Sequence, residues 1–180
     1  MKFLLGFLML VGVQGWMFQT NDEQQAVKPV DDSCLAKADA LNCDFWDCFE
    51  ERHPCSGFII NRAKSNCLTV DRNRPRFDDR GKEFLVSSRR CLMQSFKGLY
   101  LADHLSCSNL SSYGYKRIGD CSLEATPSIC DVYWPNKDHF TQGFDFNLTV
   151  LRHIAKMFMK CGRSAAARAI QHFTSKVGLS

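Results

Sequence analysis

Residues 34–55 read CLAKADALNCDFWDCFEERHPC, placing Cys34, Cys43, Cys48 and Cys55 close together in the chain. Whether these thiols hold a metal, do chemistry or staple the chain decides what fold the rest can form. Their intervals are C-x8-C, C-x4-C and C-x6-C, without the C-x2-C knuckle of a structural zinc site. The histidines (His53, His104, His139, His153 and His172) form no H-x3-H or H-E-x-x-H pair. Six further cysteines follow, Cys67, Cys91, Cys107, Cys121, Cys130 and Cys161, so the total of 10 is even. A free catalytic thiol would leave an odd partner.

The N-terminus supplies the compartment. MKFLLGFLMLVGVQGW has Lys2 as a short positive region, an apolar run from Phe3 to Val13, and small residues Val13 and Gly15 before Trp16. That is the pattern of a secretory signal peptide, too short for a membrane span. The most apolar later stretch, VLRHIAKMFM, is interrupted by Arg152, His153 and Lys156. A secreted, extracellular protein with no membrane span is expected. The secretory route is oxidising, so five disulfides are the default reading of the cysteines. They make up about 6% of the mature chain, below a minimal disulfide scaffold, so they should reinforce a core instead of replacing one. The net charge is +4 over the whole chain, too mild to suggest a nucleic-acid partner.

Residues 16–31 are polar and aperiodic and read as a flexible N-terminal arm. Helical periodicity follows. Asp32 or Ser33 can cap a helix over 34–42, Asn42 one over 43–53, and Ser56 a third over 57–68. DRNRPRF, residues 71–77, reads as a charged loop broken by Pro75. Asp78 or Asp79 caps a longer helix over 80–101, with Phe84, Leu85, Ser88, Cys91, Leu92, Ser95, Phe96 and Leu99 on one face. Residues 103–121 are weaker, and 122–137, with Pro127 and Pro135, read as connection. The strongest helix is expected over 138–161, with Phe144, Leu148, Leu151, Ile154 or Ala155, Phe158 and Cys161 in a stripe. Ser164 caps a last helix over 165–177, and Gly178 ends it. No segment sustains a period of two. The expected fold is all-α: a compact bundle of short and medium helices cross-linked by five disulfides. Its expected domains are a signal peptide at 1–15, the arm at 16–31 and a single helical disulfide-rich domain at 32–180.

No catalytic constellation emerges. There is no G-x-S-x-G elbow. An EF-hand loop started at Asp71 would need Gly and Glu where Arg76 and Lys82 stand. A phosphate loop ending at Gly81-Lys82 fails because Arg76 and Glu83 occupy its other fixed positions. No cofactor or metal is expected, and the chain reads as a non-enzyme. The Arg72, Arg74, Arg76, Arg80 run could meet a sulfated glycan, but Asp71, Asp78 and Asp79 offset it, and a solvated loop is the favoured reading. Two N-glycosylation sequons occur, at Asn109 and Asn147.

The cysteine frame, together with RFDDRGKEFLVSSRRC (Phe77, Asp78, Gly81, Lys82, Phe84 and Cys91) and His139-Phe140, resembles the stanniocalcin family of secreted glycoprotein hormones. The resemblance runs over roughly 34–178. It implies the pairing Cys34–Cys48, Cys43–Cys67, Cys55–Cys107, Cys91–Cys121 and Cys130–Cys161. It also implies a role in calcium and phosphate homeostasis through a cell-surface receptor or extracellular partner. The Arg72 to Arg80 loop and the exposed face of the last helix are the candidate contacts. Vertebrate members carry an eleventh cysteine and a long C-terminal tail. Here no cysteine follows Cys161, so the chain is expected to be a short form without that inter-chain bridge, and a non-covalent homodimer stays open. The alternative readings are a secreted non-catalytic inhibitor of an extracellular metalloprotease, or a helical disulfide-rich ligand-binding module.

Overall fold

The computed structural model describes residues 23–55, 58–142 and 148–176. The signal-peptide residues 1–15, the Ser56 cap, Phe144, Asn147 and Gly178 lie outside these. The elements run β1 (Glu23–Gln25), α1 (Asp32–Asp39), α2 (Phe45–Arg52), α3 (Phe58–Asn73), a 3-10 turn (Arg74–Arg76), α4 (Asp79–Leu101), β2 (His104–Ser106), α5 (Cys107–Glu124), α6 (Ile129–Phe140), α7 (Leu148–Lys160) and α8 (Arg163–Lys176). The fold is all-α, with one two-stranded antiparallel ribbon in which Gln24 faces Leu105.

The spine is α4. Its 23 residues span about 34 Å, and its two ends serve different cores. Near its C-terminus, Met93, Phe96 and Tyr100 join Phe45, Trp46, Phe49 and Leu110 in one apolar cluster. Near its N-terminus, Phe84 and Leu85 join Ile129, Val132, Tyr133, Phe158, Ala169 and Phe173 in a second. Met93 and Tyr100 fall outside the predicted single face because the helix is covered on more than one side. Aromatic edges set the first cluster, with Trp46 and Phe96 centroids 4.9 Å apart and Phe45 and Tyr100 5.8 Å apart.

Five bridges cross-link these elements: Cys34–Cys48, Cys43–Cys67, Cys55–Cys107, Cys91–Cys121 and Cys130–Cys161. Among the described residues no cysteine is free. Cys34–Cys48 joins α1 to α2, and Cys43–Cys67 ties the residues before α2 to α3. Cys55–Cys107 fastens the end of α2 to the start of α5, Cys91–Cys121 clamps α5 onto α4, and Cys130–Cys161 holds α6 to the end of α7. In the chain-entropy model the shortest loop, 14 residues, contributes about 3 kcal/mol and the longest, 52 residues, about 4.

Four local expectations are corrected. The arm expected to be loose is docked from Glu23 onward: β1 pairs with β2, Ala26 N–H donates to the Asp103 carbonyl at 2.8 Å, and Val27 N–H to the Arg52 carbonyl at 2.9 Å. The charged loop at 71–77 is the last turn of α3 and a 3-10 turn, with Pro75 placed where the missing N–H costs nothing. The weak stretch at 103–121 and the proline-bearing connection at 122–137 hold α5 and α6. Helix α6 survives Pro135 because a capping box between Ser128 and Asp131 starts it and Ile129, Val132 and Tyr133 bury one side. The single helix expected over 138–161 is therefore two, since α6 claims His139 and Phe140.

The Phe77 to Phe84 segment shows why its residues stand where they do. Asp78 caps α4, its side chain accepting from Gly81 N–H at 2.7 Å. That bond, with help from the Asn136 amide, holds the Asp78 carboxyl below its ordinary range. Phe77 and Phe84 both meet Phe140 edge-on. A Cβ on Gly81 would lie 2.9 Å from both the Asn136 amide nitrogen and the Phe77 ring, so only glycine lets α4 approach α6 this closely. Gly81→Ala is expected to cost about 1–3 kcal/mol through that overlap and Asp78→Ala about 1 kcal/mol through the lost cap. Denaturant melts of the oxidised protein check both. An unchanged midpoint for Gly81→Ala would mean that the α4–α6 approach is looser than described.

Candidate recognition site

A buried polar cluster is built around Arg52, at the end of α2. It is 3% exposed, an unusual place for a guanidinium, and it satisfies the burial by donating in four directions. Nε donates to the Tyr100 carbonyl at 2.7 Å, one Nη to the Lys28 carbonyl, and the other to the Ala102 carbonyl at 3.1 Å and Asp103 Oδ1 at 3.3 Å. The same guanidinium sits over the Tyr100 ring, 5.7 Å from its centroid. The carbonyls it takes on α4 are those a helix C-terminus leaves unpaired. Tyr100 adds a hydroxyl that accepts from Asp31 N–H at 3.2 Å. Sequence reasoning missed this junction, because Arg52 looks like an ordinary solvated residue in a charged helix.

His53 lies beside it, 2% exposed, with Nε2 3.4 Å from the Tyr100 carbonyl. Burial pulls its pKa below the ordinary histidine value; the Tyr100 carbonyl opposes this and the Arg52 charge adds to it. The ring is therefore neutral near pH 7.

The predicted contact regions are placed as follows. Arg72, Arg74, Arg76 and Arg80 are exposed at the corner between α3 and α4. Arg72 donates to Thr69 Oγ1 at 2.9 Å, Arg76 to the Gln142 side chain, and Asn73 to the Gln142 carbonyl at 2.7 Å. The acidic neighbours are occupied: Asp71 pairs with Arg89 at 2.7 Å and Asp79 with Lys82 at 3.0 Å. On the last helix, Ala166, Ala169 and Phe173 are buried, Ile170 is exposed, and Arg168 stacks on Trp134 at 4.4 Å. Asn109 is exposed in the first turn of α5 while Leu110, the middle residue of its sequon, is buried. Cys43, Cys67 and Asp71 bring three potential ligand atoms together, but the two sulfurs are bonded to each other and offer no thiolate. No helix among the described residues is long and apolar enough to cross a membrane.

No family model matches the chain, and no solved structure matches it. Among curated proteins, the chain is similar to stanniocalcin-2 of Rattus norvegicus, 23% identical over 145 residues. The alignment covers 77% of this chain and 47% of the relative, so the chain spans about half the relative's length.

Arg52→Ala should cost about 3 kcal/mol, because it strands the carbonyls that Arg52 satisfies. Arg52→Lys should recover less than half, since one ammonium cannot reach Lys28, Tyr100 and Ala102 together. Loss of His53 neutrality is the second handle. Its folded pKa is depressed, so its contribution is complete above the unfolded value of 6.5 and is lost as pH falls toward the folded one. Urea midpoints should begin to drop as pH falls below the unfolded value of 6.5, and the drop should shrink in His53→Phe. An equal drop in both proteins would place the acid-sensitive group elsewhere.

Proposed function

We propose that the chain is a secreted, non-catalytic, stanniocalcin-like glycoprotein hormone that acts by surface recognition in calcium and phosphate balance. The observation that carries this reading is the distant similarity to stanniocalcin-2 across most of the chain. A helical frame held by five bridges is consistent with it, since such a frame suits an oxidising compartment. In this reading residues 1–15 are a leader removed before Trp16. Residues 32–180 act as one domain, the beginning of which docks the arm. Asn109 and Asn147 carry glycans. The partner is a cell-surface receptor or an extracellular protein, and the corner at Arg72 to Arg80 and the outer face of α8 are its candidate contacts. The chain acts as a monomer or a non-covalent homodimer.

Expression in cultured cells tests the first half. The protein should appear in the medium beginning at Trp16, without free thiols, and should lose mass on enzymatic deglycosylation. Asn109→Gln should remove one glycan. Retention inside the cell with reduced cysteines would overturn the secreted reading. Saturable binding to epithelial monolayers, with altered phosphate or calcium uptake, tests the second half. No binding and no change at saturating dose would overturn the hormone reading. Slowed cleavage by a secreted metalloprotease without a transport effect would instead make the protein an inhibitor.

A further inference from the structure

The charge of this protein is divided unevenly along the chain. Asp145 is the last acidic residue. Beyond it stand Arg152, Lys156, Lys160, Arg163, Arg168 and Lys176, 6 of the 23 basic residues, which leaves 17 basic against 19 acidic residues up to and including Asp145. The mild net charge of the whole chain thus hides a slightly acidic body and a basic C-terminal hairpin.

Helix α7 sorts its residues by face. Phe158 is buried in the second cluster, and Leu151, Ile154 and Met157 pack against it. Arg152, Lys156 and Lys160 are exposed, and their four-residue spacing stacks them on one side of the helix. At 1.5 Å rise per residue they form a ridge about 12 Å long. Across the turn at Gly162, where φ is +108°, Arg163 is exposed as the first residue of α8. Cys130–Cys161 pins this turn to α6, so the ridge sits on a fixed support.

None of Arg152, Lys156, Lys160 and Arg163 makes an ion pair with a described residue. Helix α8 also has no acid in its first turn, where the macrodipole favours one, and carries Arg163 there instead. This positive end is locally unfavourable, and a bound anion would relieve it. The corner at Arg72 to Arg80 differs in local charge: Asp71, Asp78 and Asp79 lie among its four arginines and lower the potential there, although these carboxylates bond to Arg89, Gly81 N–H and Lys82. A lipid surface fits the ridge poorly. The apolar face of α7 is turned into the core, and of its described large apolar side chains only Met159 is exposed. A straight row of unpaired cations on a rigid helix fits a linear polyanion.

We propose that Arg152, Lys156, Lys160 and Arg163 form a binding site for a linear sulfated glycan. The choice of a sulfated glycan over other polyanions rests on the extracellular reading above; the binding itself does not.

Equilibrium binding of the purified mature protein to heparin tests this, with desulfated heparin and double-stranded DNA as competitors. Two triple variants are compared, Arg152→Gln/Lys156→Gln/Lys160→Gln on the ridge and Arg72→Gln/Arg74→Gln/Arg76→Gln at the corner. Each removes three charges from exposed positions. The ridge variant should bind at least about tenfold more weakly, and its slope of log affinity against log salt should fall by about two. The corner variant should stay within about twofold of the parent. Circular dichroism confirms that both are folded, and the single reversal Lys156→Glu should weaken binding in the same direction. Equal loss in both variants would reduce the effect to net charge and overturn the site. So would a parent that does not bind heparin at physiological salt, or desulfated heparin or DNA competing as well as heparin. Such a failure would leave the cell-binding and transport results standing, because purified protein and purified glycan read only this ridge.

Discussion

The Arg52 guanidinium is the constraint around which the N-terminal half is arranged. A charge taken out of water destabilises the fold unless nearly every donor finds an acceptor. Here the acceptors are the carbonyls at the end of α4, the Lys28 carbonyl of the docked arm and the Asp103 carboxylate. Satisfying one side chain therefore fixes three things together: where α4 ends, how the arm crosses it, and how α2 approaches both. The aromatic cluster of Phe45, Trp46, Phe49, Phe96 and Tyr100 then fills the space those three segments enclose. The β1–β2 ribbon is a consequence, since an arm held at Lys28 and a chain turning at Asp103 lie side by side.

The second cluster is organised differently. Among its described residues there is no buried charge of this kind, and its alignment comes from contact distance. Gly81 brings α4 against Asn136 of α6, and Tyr133 then reaches Phe158 and Phe173 on the terminal hairpin. Burial pushes the Tyr133 phenol well above its ordinary range, so it serves there as bulk. On the outer side of that hairpin Arg152, Lys156, Lys160 and Arg163 make no ion pair with a described residue.

Much of the fold was legible because helical periodicity is strong where one face is buried. The stripe of Phe84, Leu85, Leu92 and Phe96 located α4, and of the two caps expected, Asp78 or Asp79, Asp78 is the one that starts it. What failed was local punctuation. Pro135 read as part of a connection, yet capping by Ser128 and burial of Tyr133 outweigh the missing N–H. Glycines and serines made the α5 stretch read as weakly helical, yet Cys121 and Leu110 anchor that helix from both ends. The partner of each cysteine could not be read from spacing; it came only with the family resemblance. Arg52 was invisible for a further reason: its acceptors lie 24 to 51 residues away in sequence. The cationic spacing of Arg152, Lys156 and Lys160 was in plain view, but α7 was read for its apolar face.

The order of the bridges along the chain has a topological consequence. Each loop begins before the previous one closes: Cys43 lies inside 34–48, Cys55 inside 43–67, and Cys91 inside 55–107. Residues 34–121 are thus interlocked, and a protease that cuts once anywhere within them leaves the two pieces covalently joined. Cys130–Cys161 stands apart from this series. Between Cys34 and Cys161, the stretch from Cys121 to Cys130 is the single place where one hydrolysed peptide bond would leave no covalent link between the two pieces. The cationic hairpin and the arginine-centred half are therefore separable by proteolysis, although α4 packs them as one body.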